Sequence, residues 1–154
     1  MKKFLALLLA TYATLVWPTP ERLCDLTSYI QDGTYSVCVE GEVYSRYATH
    51  VSNGGDSVLT CSMVAAPYLY ADLGSVQGET VQFCGGQNEL DRLVEALGFV
   101  DLVDSKIEGC YYGYSARLGA GVLLDGKKVN CQIVVQNGTI TVGYPLILGS
   151  YCLT

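Results

Sequence analysis

The stretch Cys131-Gln132-Ile133-Val134-Val135-Gln136-Asn137-Gly138-Thr139-Ile140-Thr141-Val142-Gly143-Tyr144 decides the fold. Asn137-Gly138 is the dipeptide of the tight type I′ turn, whose two central residues both need positive φ. A two-residue loop sets Gln136 opposite Thr139, Val135 opposite Ile140 and Ile133 opposite Val142, with Cys131 facing Tyr144. Apolar side chains then meet across the ladder, and a slip of one residue would turn all of them to water. Asn137-Gly138-Thr139 also matches a glycosylation sequon, but the turn already accounts for these residues.

Upstream, Val122 to Val135 reads as strand interrupted by a turn at Asp125-Gly126, and Ile107 to Ala116 reads as strand. Val100 to Asp104 reads as a connector. Leu90, Leu93, Val94 and Leu97 form one helical stripe that Gly98 stops, so a helix is expected over 88–97 with Asn88 as its cap. Ser75 to Cys84 and Val58 to Ala65 read as strands, separated by a tyrosine-bearing loop from Ala66 to Gly74. Ser52-Asn53-Gly54-Gly55-Asp56 is a turn. Thr34 to Tyr47 alternates as one long or bent strand with Gly41 as a bulge. Thr19-Pro20-Glu21 reads as a helix start, and Leu23, Leu26, Tyr29 and Ile30 recur at helical spacing, giving a first helix over 20–31.

Each half thus runs helix, strand, strand, strand. Each carries a cysteine early in its first strand (Cys38, Cys110) and another in its second (Cys61, Cys131), and Cys38-x-x-Gly41 finds a partner in Cys110-x-x-Gly113. The expected fold class is α+β: an antiparallel sheet with two helices on one face, built as a pseudo-twofold αβββ-αβββ duplication.

The chain has 154 residues, half of them apolar and 16% charged, which suits one packed domain rather than a disordered chain. Lys2 and Lys3 carry the only charges in the first 20 residues, and setting them aside takes the formal charge from −6 to −8. Such a domain is repelled by a phosphate backbone, so no nucleic-acid partner is expected. Those lysines precede an uncharged run from Phe4 to Trp17, the length of an export signal and short of a spanning helix. Residues 1–17 are expected to be a signal peptide, or an uncleaved anchor through residues 4–17, and 18–154 a single domain.

Seven cysteines without any Cys-x-x-Cys disfavour a zinc knuckle or a redox pair, and export favours disulfides. Cys38, Cys61, Cys110 and Cys131 are the disulfide candidates; small buried apolar cysteines are the other reading. His50 is the single histidine, so a cysteine or serine nucleophile would need it nearby. Gly119-Ala120-Gly121 lacks what a phosphate loop requires. Asp101, Asp104 and Glu108 read as a solvated acidic connector, and Glu89, Asp91 and Glu95 as the outer face of a helix. No cofactor, metal or catalytic residue is expected. Tyrosine is unusually frequent, at 12 residues. Tyr111, Tyr112 and Tyr114 are the candidate binding residues, because tyrosine joins apolar area to a hydroxyl.

Lys128-Val129-Asn130-Cys131-Gln132-Ile133, then Gly138-Thr139-Ile140-Thr141-Val142-Gly143-Tyr144-Pro145-Leu146-Ile147 and Ser150-Tyr151, with Tyr112-Gly113-Tyr114-Ser115, resemble the end of the YwmB-like family. That resemblance implies an exported protein of Gram-positive spore-forming bacteria with a TATA-box-binding-protein-like fold, and it carries no catalytic residues. The resulting expectation is an extracellular or cell-surface, non-catalytic binding or structural module with an unknown glycan or peptide ligand in the envelope. Its membrane contact would be limited to an uncleaved N-terminal segment. A cysteine-dependent enzyme is one alternative. A DNA-binding protein by fold analogy is the other, disfavoured by charge and export.

Overall fold

A computed structural model describes residues 21–105 and 107–148. In chain order the strands are β1 (Gly33–Glu40), β2 (Thr49–Asn53), β3 (Asp56–Ser62), β4 (Gly78–Cys84), β5 (Phe99–Asp104), β6 (Cys110–Ser115), β7 (Val122–Leu124), β8 (Lys127–Val129), β9 (Cys131–Gln136) and β10 (Thr139–Tyr144). The α-helices are α1 (Ala66–Asp72) and α2 (Gln87–Leu97), with short 3-10 turns at Leu23–Ser28 and Met63–Ala65. Eight strands form one antiparallel sheet in the order β2-β3-β1-β4-β10-β9-β6-β5, and β7 pairs with β8 in a separate hairpin. The fold is therefore α+β with an antiparallel sheet. From the central pair outward, one half runs β4, β1, β3, β2 and the other β10, β9, β6, β5.

The β9–β10 hairpin has the expected register, from Gln136–Thr139 to Val135–Ile140 and Ile133–Val142, and its ladder closes at Gln132–Gly143. Asn137 and Gly138 both take positive φ, at 52° and 74°. Helix α2 matches its stripe and ends at Gly98, which adopts the left-handed conformation that glycine tolerates best. It starts one residue earlier than expected: Gly86 is its N-cap, and the Gly86 N–H donates to Glu89 Oε2 at 2.9 Å.

Four local expectations are corrected. The first helix is only the 3-10 turn Leu23–Ser28. The long strand stops at Glu40, and Gly41 with φ 80° turns the chain rather than bulging it. The tyrosine-bearing segment is helix α1, which Pro67 opens and whose Ala66 and Leu69 are buried. The acidic connector is strand β5, whose register shifts between Phe99 and Asp101; charged residues suit its position at the sheet edge.

Strand alternation divides the sheet into two faces. Tyr35, Val37, Val39, Leu59, Val81, Ile133, Ile140 and Val142 form one core with Leu23 and Leu26 of the 3-10 turn, Leu69 of α1, and Leu90, Leu93 and Leu97 of α2. The helical elements thus pack on the same face. Each such apolar side chain contributes about 1.5–3 kcal/mol on full burial. The opposite face carries a smaller cluster of Cys110, Tyr112 and Val129, with Leu124, Val134 and Leu146 against it. No helix among the described residues is long and apolar enough to cross a membrane.

One charged group sits within the helix-covered core. Glu79 is 2% exposed; Tyr35 Oη donates to its Oε1 at 2.5 Å and the Leu23 N–H to its Oε2 at 3.1 Å. These bonds tie β4 to β1 and to the start of the 3-10 turn. Burial raises the Glu79 pKa, and it outweighs the two hydrogen bonds, which favour the ionised form. A carboxyl raised on folding adds stability below the ordinary carboxylate range and loses it as pH climbs through the folded-state value. Thermal melts of wild type and Glu79→Gln should diverge as pH rises from about 4.3, the free glutamate value, in favour of the amide. A pH-independent difference would contradict this.

Candidate functional site

The face without helices is unusually hydroxyl- and amide-rich. Its register places Ser62, Thr34, Gln82, Thr141, Val134 and Cys110 in one continuous row across β3, β1, β4, β10, β9 and β6. A second row runs Cys84, Thr139 and Gln136. A third runs Thr60, Ser36, Thr80, Gly143, Gln132 and Tyr112.

The chain after β10 crosses the third row. The Ile147 N–H donates to Gln132 Oε1 at 3.1 Å, and the Leu148 N–H donates to Thr80 Oγ1 at 3.0 Å. This strap lies so close to the sheet that a Cβ on Gly143 would come within 2.2 Å of the Ile147 nitrogen. Gln132 is 1% exposed, and its Nε2 faces Cys110 Sγ at 3.6 Å and Tyr112 Oη at 3.4 Å. A buried amide with both ends engaged fixes the strap relative to β6 and β9.

The strap forms one wall of a groove of about 520 Å³. Gln82, Thr141 and Val134 floor it, Thr139 and Gln136 extend it toward the turn at Asn137, Ile147 closes one side, and Ile107, Glu108 and Cys110 line the other. Glu108 is the only carboxylate among the described lining residues, and none of them is a lysine or arginine. The described residues of the groove offer amide and hydroxyl donors and acceptors beside apolar Val134 and Ile147.

The candidate tyrosines do not form one surface. Tyr111 stands opposite Ile133, on the helix-covered side, and packs against the main core. Tyr112 is on the open side but only 8% exposed. Tyr114 is half-buried at the other end of β6, with Lys128 Nζ 4.9 Å from its ring centroid, beside a hollow of about 680 Å³ also lined by Val100, Val103 and Val129. Alternation separates neighbours that sequence alone presents as a cluster.

The four disulfide candidates do not bond to one another. Cys61 stands opposite Tyr35, three residues from Cys38, and Cys131 opposite Gly113, three residues from Cys110. An odd offset puts Cys38 and Cys110 on the open face and Cys61 and Cys131 on the helix-covered face. Within each face the two cysteines are four strand spacings apart, roughly 19 Å, against the ~7 Å limit between bridged Cα atoms. All six described cysteines are free, and Cys152 lies outside the described residues. Burial pushes the Cys24 thiol up to about 12 and the Cys61 thiol up to about 11, and raises Cys38 and Cys131 as well. A raised thiol is a poor source of thiolate.

His50 meets a serine rather than a cysteine. Ser57 Oγ donates to the Gly41 carbonyl at 2.7 Å and accepts the Val43 N–H at 2.9 Å, and His50 Nε2 lies 3.0 Å from it. The Ser57 hydroxyl is thus engaged by the backbone on either side of it, at the Gly41 carbonyl and the Val43 N–H, as well as by the imidazole. Asp101 and Asp104 lie on β5, and Glu89 serves the start of α2 with its carboxyl held below the usual range by the Gly86 N–H. Among the described residues no cluster of His, Cys, Asp and Glu is placed to hold a metal ion.

The strap depends on the missing side chain of Gly143. Gly143→Ala is expected to lower stability by about 1–3 kcal/mol through overpacking and to raise amide exchange at Ile147 and Leu148. An unchanged melting temperature with protected strap amides would contradict the contact.

No protein-family model, curated protein or solved structure matches this chain.

Proposed function

We propose that this chain is an exported, non-catalytic binding module of the YwmB-like kind, acting at the cell surface on an uncharged glycan held in the open-face groove. The observation that carries the reading is the row Gln82–Thr141–Val134, an amide and a hydroxyl leading to an apolar side chain on a strap-walled floor. Sugars present hydroxyls that both donate and accept, and apolar ring faces between them, which is the pattern that such a floor complements. The charge of −8 outside the first 20 residues, and a groove without cations among its described residues, favour a neutral ligand over nucleic acid.

The TATA-box-binding-protein-like duplication belongs to the same proposal. Its support is the layout of four strands on each side of a central β4–β10 seam, with helical elements on one face. The connections differ between the halves, so the likeness is one of layout and of the paired cysteine–glycine segments. Export and surface location rest on the lysine-headed apolar run at residues 2–17. Raised thiols, and a Ser57 hydroxyl engaged by the Gly41 carbonyl and the Val43 N–H, weigh against a cysteine- or serine-based enzyme.

Retention on insoluble peptidoglycan tests the groove. Gln82 is exposed and Thr141 half-buried, so Gln82→Ala with Thr141→Ala should leave the unfolding free energy within about 0.5 kcal/mol of wild type. Retention should fall at least tenfold, equivalent to about 1.4 kcal/mol. Undiminished retention, or none by the wild-type chain, would overturn the glycan reading.

A further inference from the structure

The sheet has two outer strands, and only one of them is guarded. At one end β5 carries Asp101 and Asp104, and its register shifts between Phe99 and Asp101. Charges and bulges are devices that keep a sheet edge from pairing with a second chain. At the other end β2 reads Thr49-His50-Val51-Ser52-Asn53, without an acid, a lysine, an arginine or a proline. Its ladder with β3 is regular, and β3 is its one strand neighbour among the described residues. Val51 is 62% exposed.

The turn after β2 fixes which of its backbone groups face outward. Gly54 and Gly55 both take positive φ, at 63° and 104°, and form a two-residue loop between the paired residues Asn53 and Asp56. The pair that closes such a loop is hydrogen-bonded, and hydrogen-bonded and non-hydrogen-bonded pairs alternate along an antiparallel ladder. Asn53, Val51 and Thr49 therefore bond toward β3, while the N–H and C=O groups of His50 and Ser52 point away from it at the outer edge. These outward groups lie symmetrically about Val51. Side chains follow the same alternation. Val51 stands opposite Val58, which stands opposite Cys38, so Val51 belongs to the open face. His50 stands opposite Leu59 on the helix-covered face, with the 67% exposed Tyr44 ring 4.3 Å away between centroids.

We propose that β2 pairs antiparallel with β2 of a second copy of this chain, about a twofold axis through Val51. The His50 N–H then donates to the carbonyl of Ser52 of the partner subunit, and the N–H of Ser52 of the partner subunit donates to the His50 carbonyl. The twofold repeats the exchange, so the outward groups of both copies are engaged. Val51 meets its counterpart at a non-hydrogen-bonded position, where Cα atoms approach to about 4.5 Å, and extends the apolar row that begins at Val58. Thr49 faces Asn53 of the partner subunit. No charge of one β2 meets a charge of the other, which favours a second copy as occupant in a chain whose charge outside the first 20 residues is −8. A foreign peptide added to a sheet edge takes its specificity from pockets for alternate side chains. The groove lies over β4, β10, β9 and β6 and the hollow beside β5, both away from β2.

The axis is perpendicular to the sheet, so the two eight-stranded sheets become one and both open faces lie on the same side. Two grooves directed the same way let a dimer hold an extended surface at two points. That consequence rests on the glycan reading, and the pairing itself does not.

Sedimentation velocity of the full chain over a concentration series tests the pairing. A five-residue edge is a small interface, of the class below about 1,200 Å² that gives transient association. The weight-average sedimentation coefficient of wild type should climb from the monomer value toward the dimer value between about 10 µM and about 1 mM. Val51→Lys and Val51→Glu each set like charges directly opposite across the axis. Each alone should stay at the monomer value while keeping the wild-type melting temperature, because the side chain is exposed. An equimolar mixture of the two sets Lys against Glu and should recover the concentration-dependent rise. Ser52→Pro, which removes an outward donor and no bond to β3, should also stay monomeric. The mixture separates this pairing from association through the apolar run at residues 4–17, which these substitutions leave intact. Wild type that remains monomeric to the top of the series, Val51→Lys that associates as wild type does, or a mixture that stays monomeric refutes the proposal.

Discussion

The antiparallel pairing of β4 with β10 is the constraint on which the rest depends. It joins strands whose paired residues lie 55 to 65 positions apart in sequence, running from Cys84–Thr139 to Glu79–Tyr144. On one side it aligns Val81 with Val142 and Phe83 with Ile140, which completes the core under the helices. On the other side it aligns Gln82 with Thr141 and Thr80 with Gly143, which makes the groove floor and the seat of the strap. A shift of one residue at this seam would exchange the two faces and destroy both.

The seam also explains why a buried carboxylate is tolerated. Glu79 falls on the core side because its neighbours in the ladder do, and there it meets Tyr35 and the Leu23 amide. Both oxygens are engaged, so the group is hydrogen-bonded despite its desolvation. The same principle operates on the open face, where Gln132 engages the strap with one end of its amide and β6 with the other.

Legibility of the sequence followed the range of the forces. The β9–β10 register was readable because Asn137-Gly138 fixes turn geometry locally and alternation fixes the rest. Helix α2 was readable from its stripe and from Gly98. Helix α1 was not, because with only seven residues it buries only Ala66 and Leu69, and its Pro67, exposed Tyr68 and half-buried Tyr70 resemble loop composition. Strand β5 was hidden by its aspartates, which an edge position accommodates. Of the candidate tyrosines, Tyr112 and Tyr114 lie on the open face and Tyr111 on the helix-covered one, whereas the groove residues Gln82, Gln136 and Thr141 are not among the sequence's candidates. Their signal was the polar half of each alternating strand, which reads as ordinary solvent-facing sequence until several strands are laid side by side.

The sequence by itself determined the α+β class, the C-terminal hairpin and its register, helix α2, and the acidic charge, since each depends on neighbours within a dozen residues or on composition. Tertiary structure alone decided which strands adjoin, which cysteines share a face, and where the strap lies. Those relations come from contacts between distant segments, and the burial of a shared core and the close approach at Gly143 select one arrangement among many that local propensity allows.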